Sequence, residues 1–226
     1  MFATNLKRLL EFEQTSMTLT IAEKFLLLIL RQDQPKYKVS EMQRNAGIVA
    51  SILIDLQTQE CIAFRDRKIQ VLRPTTHLSS AHQQVLELIA ASSKERKLYT
   101  WYFKLSNKVR LYRYELLEHL KSKGFVKVEE KKTWFVRYKH AYLIKENEQR
   151  QLSHNLKQAV SQRYPDDESM VSLLMLVFMG RMYKLLAEEK SQIKELRRTL
   201  KDRFANHELA KALERCYRDF EAAASG

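Results

Sequence analysis

Four glycines and three prolines in 226 residues leave too little turn-forming material for an all-β sandwich or barrel, whose many tight turns draw on those two residues. A helix-dominated fold follows. The two cysteines, Cys61 and Cys216, are far apart in sequence and make neither a disulfide framework nor a metal site, so two reduced thiols are expected. No segment has the layout of a signal peptide, and the longest apolar run, Leu173 to Met179, is far too short to span a bilayer. A cytoplasmic chain is expected, with any membrane contact peripheral. Catalytic signatures are also missing: there is no Cys-x-x-Cys, His-Glu-x-x-His, Gly-x-Ser-x-Gly or Gly-Lys-Ser/Thr pattern. His77 and His82 lie five residues apart and do not share a helix face. A non-enzymatic protein without cofactor or metal is the expectation.

What the chain does have is a core and a charge. Hydrophobic residues make up 45% of it, enough for a substantial interior, and the simplest parse is one domain over 1–226. Forty Lys and Arg against 27 Asp and Glu give a net charge of +13, which favours polyanionic partners such as an acidic membrane or nucleic acid. The excess is concentrated. Residues 81–150 hold 16 basic and 8 acidic side chains, and so carry +8 of the +13.

Along the chain, Thr18 or Thr20 can cap a helix reading Ile21 to Leu30 that is apolar on nearly every side and belongs in the core. A second apolar helix runs from Gly47 through Leu56, with Gly47 permitting close approach to the first. Cys61–Phe64 and Ile69–Leu72 predict a hairpin around Arg65–Lys68, ended by Pro74. Helices are predicted at Ser80–Ala91, Tyr99–Leu105 and Val109–Lys123, with Gly124 just past the last. A second, basic hairpin is predicted from Phe125 to Tyr138 around a turn at Glu129–Lys132. Helices at Ser153–Arg163, Ser169–Lys184 and Ser191–Ala224 follow, with breaks near Pro165 and Asn206. The carboxylates of Tyr164-Pro-Asp-Asp-Glu168 read as helix capping.

The stretch Leu19-Thr-Ile-Ala-Glu-Lys-Phe-Leu-Leu-Leu28 resembles the opening signature of the Golgi phosphoprotein 3 family. The likeness continues in order through Leu53-Ile-Asp-Leu56, a small hairpin, Arg110-Leu-Tyr-Arg113 and Leu120-Lys-Ser-Lys-Gly124. It covers about 17–190 and leaves 191–226 as a C-terminal helical extension. The resemblance implies a mainly α single domain with two short β-hairpins, one of them protruding. It also implies peripheral binding to an anionic phospholipid headgroup, phosphatidylinositol 4-phosphate in eukaryotic members, which also act as adaptors for Golgi enzymes. With so few residues before Leu19, it is a minimal, bacterial-type member that is resembled.

The family's phosphate pocket uses two basic residues three apart on one helix, which match Arg110 and Arg113. Residues at i and i+3 share a helix face, so two guanidiniums can fork onto one phosphate. Ser40 and Val49 stand where the family has a Trp and a further cation, and Lys36, Lys38 or Arg44 is expected to supply the missing charge. The hairpin that mediates membrane contact and self-association in the family corresponds to Phe125–Tyr138, where Trp134 and Phe135 are flanked by Lys131, Lys132 and Arg137. Interfacial aromatics with neighbouring cations suit an acidic leaflet.

Two other readings use the same residues. Helices followed by a basic hairpin are the element order of a winged helix, with 109–123 as recognition helix and 125–138 as wing; Glu115 and Glu118 at that helix's centre would repel duplex phosphates. Ile193, Leu196, Leu200 and Phe204 form a helical stripe that fits a protein-interaction scaffold or, more simply, the chain's own core.

Overall fold

The structure, a computed structural model, describes residues 19–73, 78–132, 134, 137–162 and 167–225. Pro74, His77, Phe135 and Pro165 lie outside the described residues.

The chain is built around one short helix, α1 (Ile21–Ile29), in which only Lys24 escapes burial. Thr20 and Glu23 form a capping box at its start, so two of the amides that a helix N-terminus leaves open are satisfied locally. The remaining ends are held from a distance. Asp55, on α2 (Glu41–Thr58), accepts from the Ile21 and Ala22 amides at 2.8 and 2.9 Å, and Gln149 Nε2 donates to the Leu27 and Leu30 carbonyls at 2.6 and 2.7 Å. Helix α2 begins after Ser40, which closes its own capping box with Gln43, and not near Gly47. Its first turn is polar, so the apolar run marks only its buried part. A Cβ on Gly47 would sit 2.1 Å from Phe25 Cζ, so the two helices meet at glycine because no other residue leaves room for the ring.

The first hairpin, β1 (Ile62–Arg65) and β2 (Lys68–Val71), turns at Asp66 and Arg67, both at positive φ, as the two-residue turns that match strand twist require. A two-residue strand β3 (Arg96–Lys97), too short to leave a sequence signal, joins it through Lys68↔Lys97 and Ile69↔Arg96. Between them lies α3 (Ser80–Ala90), and α4 (Leu98–Ser106) and α5 (Val109–Ser122) follow. Gly124, at φ 73°, ends α5 in the left-handed conformation that favours glycine.

The second hairpin is longer than its sequence suggests. Strand β4 (Val126–Lys132) pairs with β5 (Arg137–Leu143), so Glu129–Lys132 is strand and not turn. Alternate residues share a strand face, and Glu129 accepts ion pairs from Lys127 at 2.8 Å and Lys131 at 3.3 Å; the charged run is a satisfied strand face. Helix α6 (Glu146–Ser161) starts before Ser153 because its polar first turns still bury Gln149 and Leu152. Asp167 caps α7 (Glu168–Met179), which stops at Gly180 rather than Lys184. Arg181 takes a positive φ there, and a short 3-10 turn occupies Tyr183–Leu185. Helices α8 (Lys190–Arg203) and α9 (Glu208–Ser225) complete the chain. Leu196, Leu200 and Phe204 are buried and Ile193 packs beside them, so that stripe belongs to the interior. The buried side chains form one cluster reaching from α1 to α9.

Candidate anionic-headgroup site

The buried and half-buried polar side chains fall into two groups that behave differently. Glu23 is wholly buried, yet its carboxylate accepts from the Thr20 amide at 2.8 Å, meets His119 Nδ1 at 2.6 Å and pairs with Lys123 Nζ at 2.9 Å. Asp55 adds to its two amides a contact with His82 Nε2 at 2.8 Å, and His82 Nδ1 in turn meets Ser79 Oγ at 2.6 Å. Buried charge that is paired and hydrogen-bonded in this way is structural. These residues clamp α1 to α2, α3 and α5.

The other group surrounds a cavity of about 390 Å³ where the loop into α2, helix α5 and strand β5 meet. Lys36, Tyr37 and Arg44 line it from the first segment, Arg113 from α5, and Lys139 and His140 from β5. Arg44 stacks over the Tyr37 ring at 4.7 Å and pairs with Glu41 at 2.9 Å. Burial, and then the nearby Arg113 guanidinium, push Arg44 below its usual value. Burial raises the Tyr37 phenol although Arg113 and Arg44 pull the other way. Arg113 lies over the Tyr114 ring at 5.2 Å, and its buried Nε has no hydrogen-bond partner among the described residues. Two like charges around a hollow, one with an idle donor, form an arrangement that a phosphate would relieve.

Structure separates the helix pair singled out in the sequence. Arg113 lines the cavity and Arg110 does not. Arg110 instead donates to the Arg137 carbonyl and, from Nε, to the Tyr114 hydroxyl at 3.3 Å, while the Lys139 amide donates to the same hydroxyl at 3.3 Å. Arg110 thus anchors β5 to α5. Of the three residues expected to supply the missing charge, Lys36 and Arg44 line the cavity and Lys38 lies in the adjoining hollow. Ser40 is a helix cap, and Val49 is 1% exposed in the core, a position that could hold no charge.

Lys139 and the aromatics Tyr37 and Tyr138 are wall residues that sequence reasoning missed. The basic alternation of the hairpin was the available signal for Lys139. Its ammonium is held above its usual value chiefly by Glu118, 2.6 Å away, with Glu130 at 3.7 Å, so its charge is already partly balanced.

Beyond the cavity the hairpin carries Trp134, 93% exposed, four positions before Tyr138 on the cavity wall. Lys131, Lys132 and Arg137 are exposed around it. The winged-helix element order is present, but α5 is wedged against α1, α2, α3 and β4, with Leu116, Leu117 and Leu120 buried. Among the described residues no helix is long and apolar enough to cross a membrane.

No curated protein matches the chain. The family model of Golgi phosphoprotein 3 (GPP34) matches residues 21–218, from the first residue of α1 into α9, and the chain belongs to that family.

Proposed function

We propose that this protein docks peripherally on membranes by gripping the phosphate of an anionic lipid headgroup between Arg44 and Arg113. At the level of the family, membership supports a lipid-binding type of role. The observation that carries the finer reading is the buried Arg113 Nε without a partner, beside a second guanidinium in a cation-lined hollow. Lys36 adds a third positive charge at the rim, and Tyr37 and Tyr138 offer hydroxyls to headgroup oxygens. Trp134, with Lys131, Lys132 and Arg137 near it, is the interfacial anchor. Each cation near an acidic leaflet contributes on the order of 1 kcal/mol, so four or five give reversible docking.

Phosphatidylinositol 4-phosphate fits the cavity's charge. With Ser40 and Val49 in place of the family's Trp and cation, other anionic lipids such as phosphatidylglycerol are accepted as well. Self-association through the hairpin is part of the same proposal, since the aromatic tip is presented to any neighbour.

The test is co-sedimentation with neutral vesicles and with vesicles doped with phosphatidylglycerol or phosphatidylinositol 4-phosphate, with duplex DNA as competitor. The proposal requires that wild type binds only the anionic vesicles, that salt weakens binding, and that Arg44→Ala/Arg113→Ala releases the protein. Binding undiminished in the double variant, or binding that DNA displaces at low concentration, sinks it.

A further inference from the structure

We infer that a second anionic-headgroup site adjoins the first, so that docking engages two lipid molecules at once; this rests on the headgroup reading of the Arg44/Arg113 cavity. A hollow of about 320 Å³ is lined by the cations Lys38, Arg181 and Lys184 and by the apolar side chains Met182, Leu185 and Ile193. Val39 lines both hollows and forms the partition between them. Among the described residues no carboxylate is in its lining; Glu221 meets Arg181 at 3.1 Å from α9. Lys38 is an exposed residue, but partial burial of its ammonium, and then Arg31, push it below its usual value, a setting that an anion relieves.

The two walls are fixed to each other, because Gln43 Nε2 near the start of α2 donates to the Gly180 carbonyl at 3.0 Å. Cations set beside apolar side chains match a phosphate that still carries glycerol and acyl carbons, and so a lipid rather than a free phosphate compound. Once the first headgroup is held, the second site meets a membrane already crowded with ligand, and its binding becomes intramolecular.

The experiment uses phosphatidylcholine vesicles with a rising fraction of phosphatidylglycerol, at an ionic strength where surface charges are screened beyond about 8 Å. The apparent affinity of wild type is expected to rise with roughly the second power of phosphatidylglycerol density, the mark of two linked sites. Lys38→Ala/Lys184→Ala, which replaces two exposed side chains, is expected to lower the order to about one while binding persists. The charge-matched control Lys157→Ala/Lys201→Ala, also at exposed positions, should leave it near two.

A control that lowers the order equally, or a Lys38/Lys184 variant that keeps the wild-type order, overturns the second site. Arg44→Ala/Arg113→Ala separates the two claims: if it leaves vesicle binding intact, the first-cavity reading fails on its own. Glycerol phosphate in millimolar excess should not release the protein; release would assign the second hollow to free phosphate compounds and overturn its lipid character.

Discussion

The clamp around α1 and the cavity beside Arg113 are both built from charged side chains, and they differ in sign and in whether those side chains are satisfied. Glu23 and Asp55 have partners on both carboxylate oxygens in the interior. Arg113 keeps a buried N–H without a partner among the described residues, and Arg44 sits within reach of its field. A charge buried with its partners holds a fold together, whereas a charge held without a full set is poised for a ligand. The stretches that carry the family resemblance, Leu19–Leu28 and Leu53–Leu56, contain Thr20, Glu23 and Asp55, so much of what identifies the chain is the clamp.

The largest effect expected from this contrast is on stability. Glu23→Ala removes the buried carboxylate shared by His119, Lys123 and the Thr20 amide and should cost about 3–5 kcal/mol, read as a lower denaturation midpoint with an unchanged slope. A smaller midpoint shift would mean that water replaces the carboxylate. Gly47→Ala drives a methyl into the Phe25 ring and should cost about 3 kcal/mol, a fall in Tm of roughly 6–12 °C for a chain of this size. The Gly47→Ala/Phe25→Leu double variant should recover part of it.

At the cavity the signs divide. Arg44→Ala/Arg113→Ala should cost less stability than Glu23→Ala, since Glu41, the carboxylate left behind, is exposed, while vesicle binding falls at least about tenfold, the loss of some 1.4 kcal/mol. Stability loss matching that of Glu23→Ala would make the two regions equivalent and erase the distinction.

A smaller effect is expected at the cavity's edge. Glu118 is held below its ordinary value of 4.5 mainly by its hydrogen bond with Lys139. The folded state thus binds fewer protons there than the unfolded chain, and the pair's contribution is complete above about pH 4.5 and lost as pH falls through the lower folded value. Acid titration of Glu118→Gln should lack this step, worth under about 1 kcal/mol. The thiols should be the most silent of all. Burial pushes Cys61 up and Cys216 to about 12, so neither should react with a thiol reagent at pH 8 until the chain unfolds.

Much of the fold was legible in the sequence because it rests on local rules. Apolar periodicity marked α1, α3, α4 and α5, Gly124 marked a helix end, and the near-absence of other glycines excluded a β architecture. The errors came where local rules compete with packing: the polar first turns of α2 and α6 were left outside the predicted helices, the Glu129–Lys132 strand was read as a turn, and the end of α7 was placed too late. The candidate site was legible only as a set of cations. Arg110 and Arg113 share a helix face and look equivalent, but β5 lies against that face and takes Arg110 for its own carbonyl.

By itself, then, the sequence determined a helical chain of this family with a basic middle third, since composition, periodicity and capping residues act over a turn or two of backbone. Which cations face one another was decided by tertiary structure alone. The loop at 36–39, helix α5 and strand β5 are brought together by burial of their apolar neighbours, a non-directional force acting across the whole chain, and no short stretch of residues records that meeting.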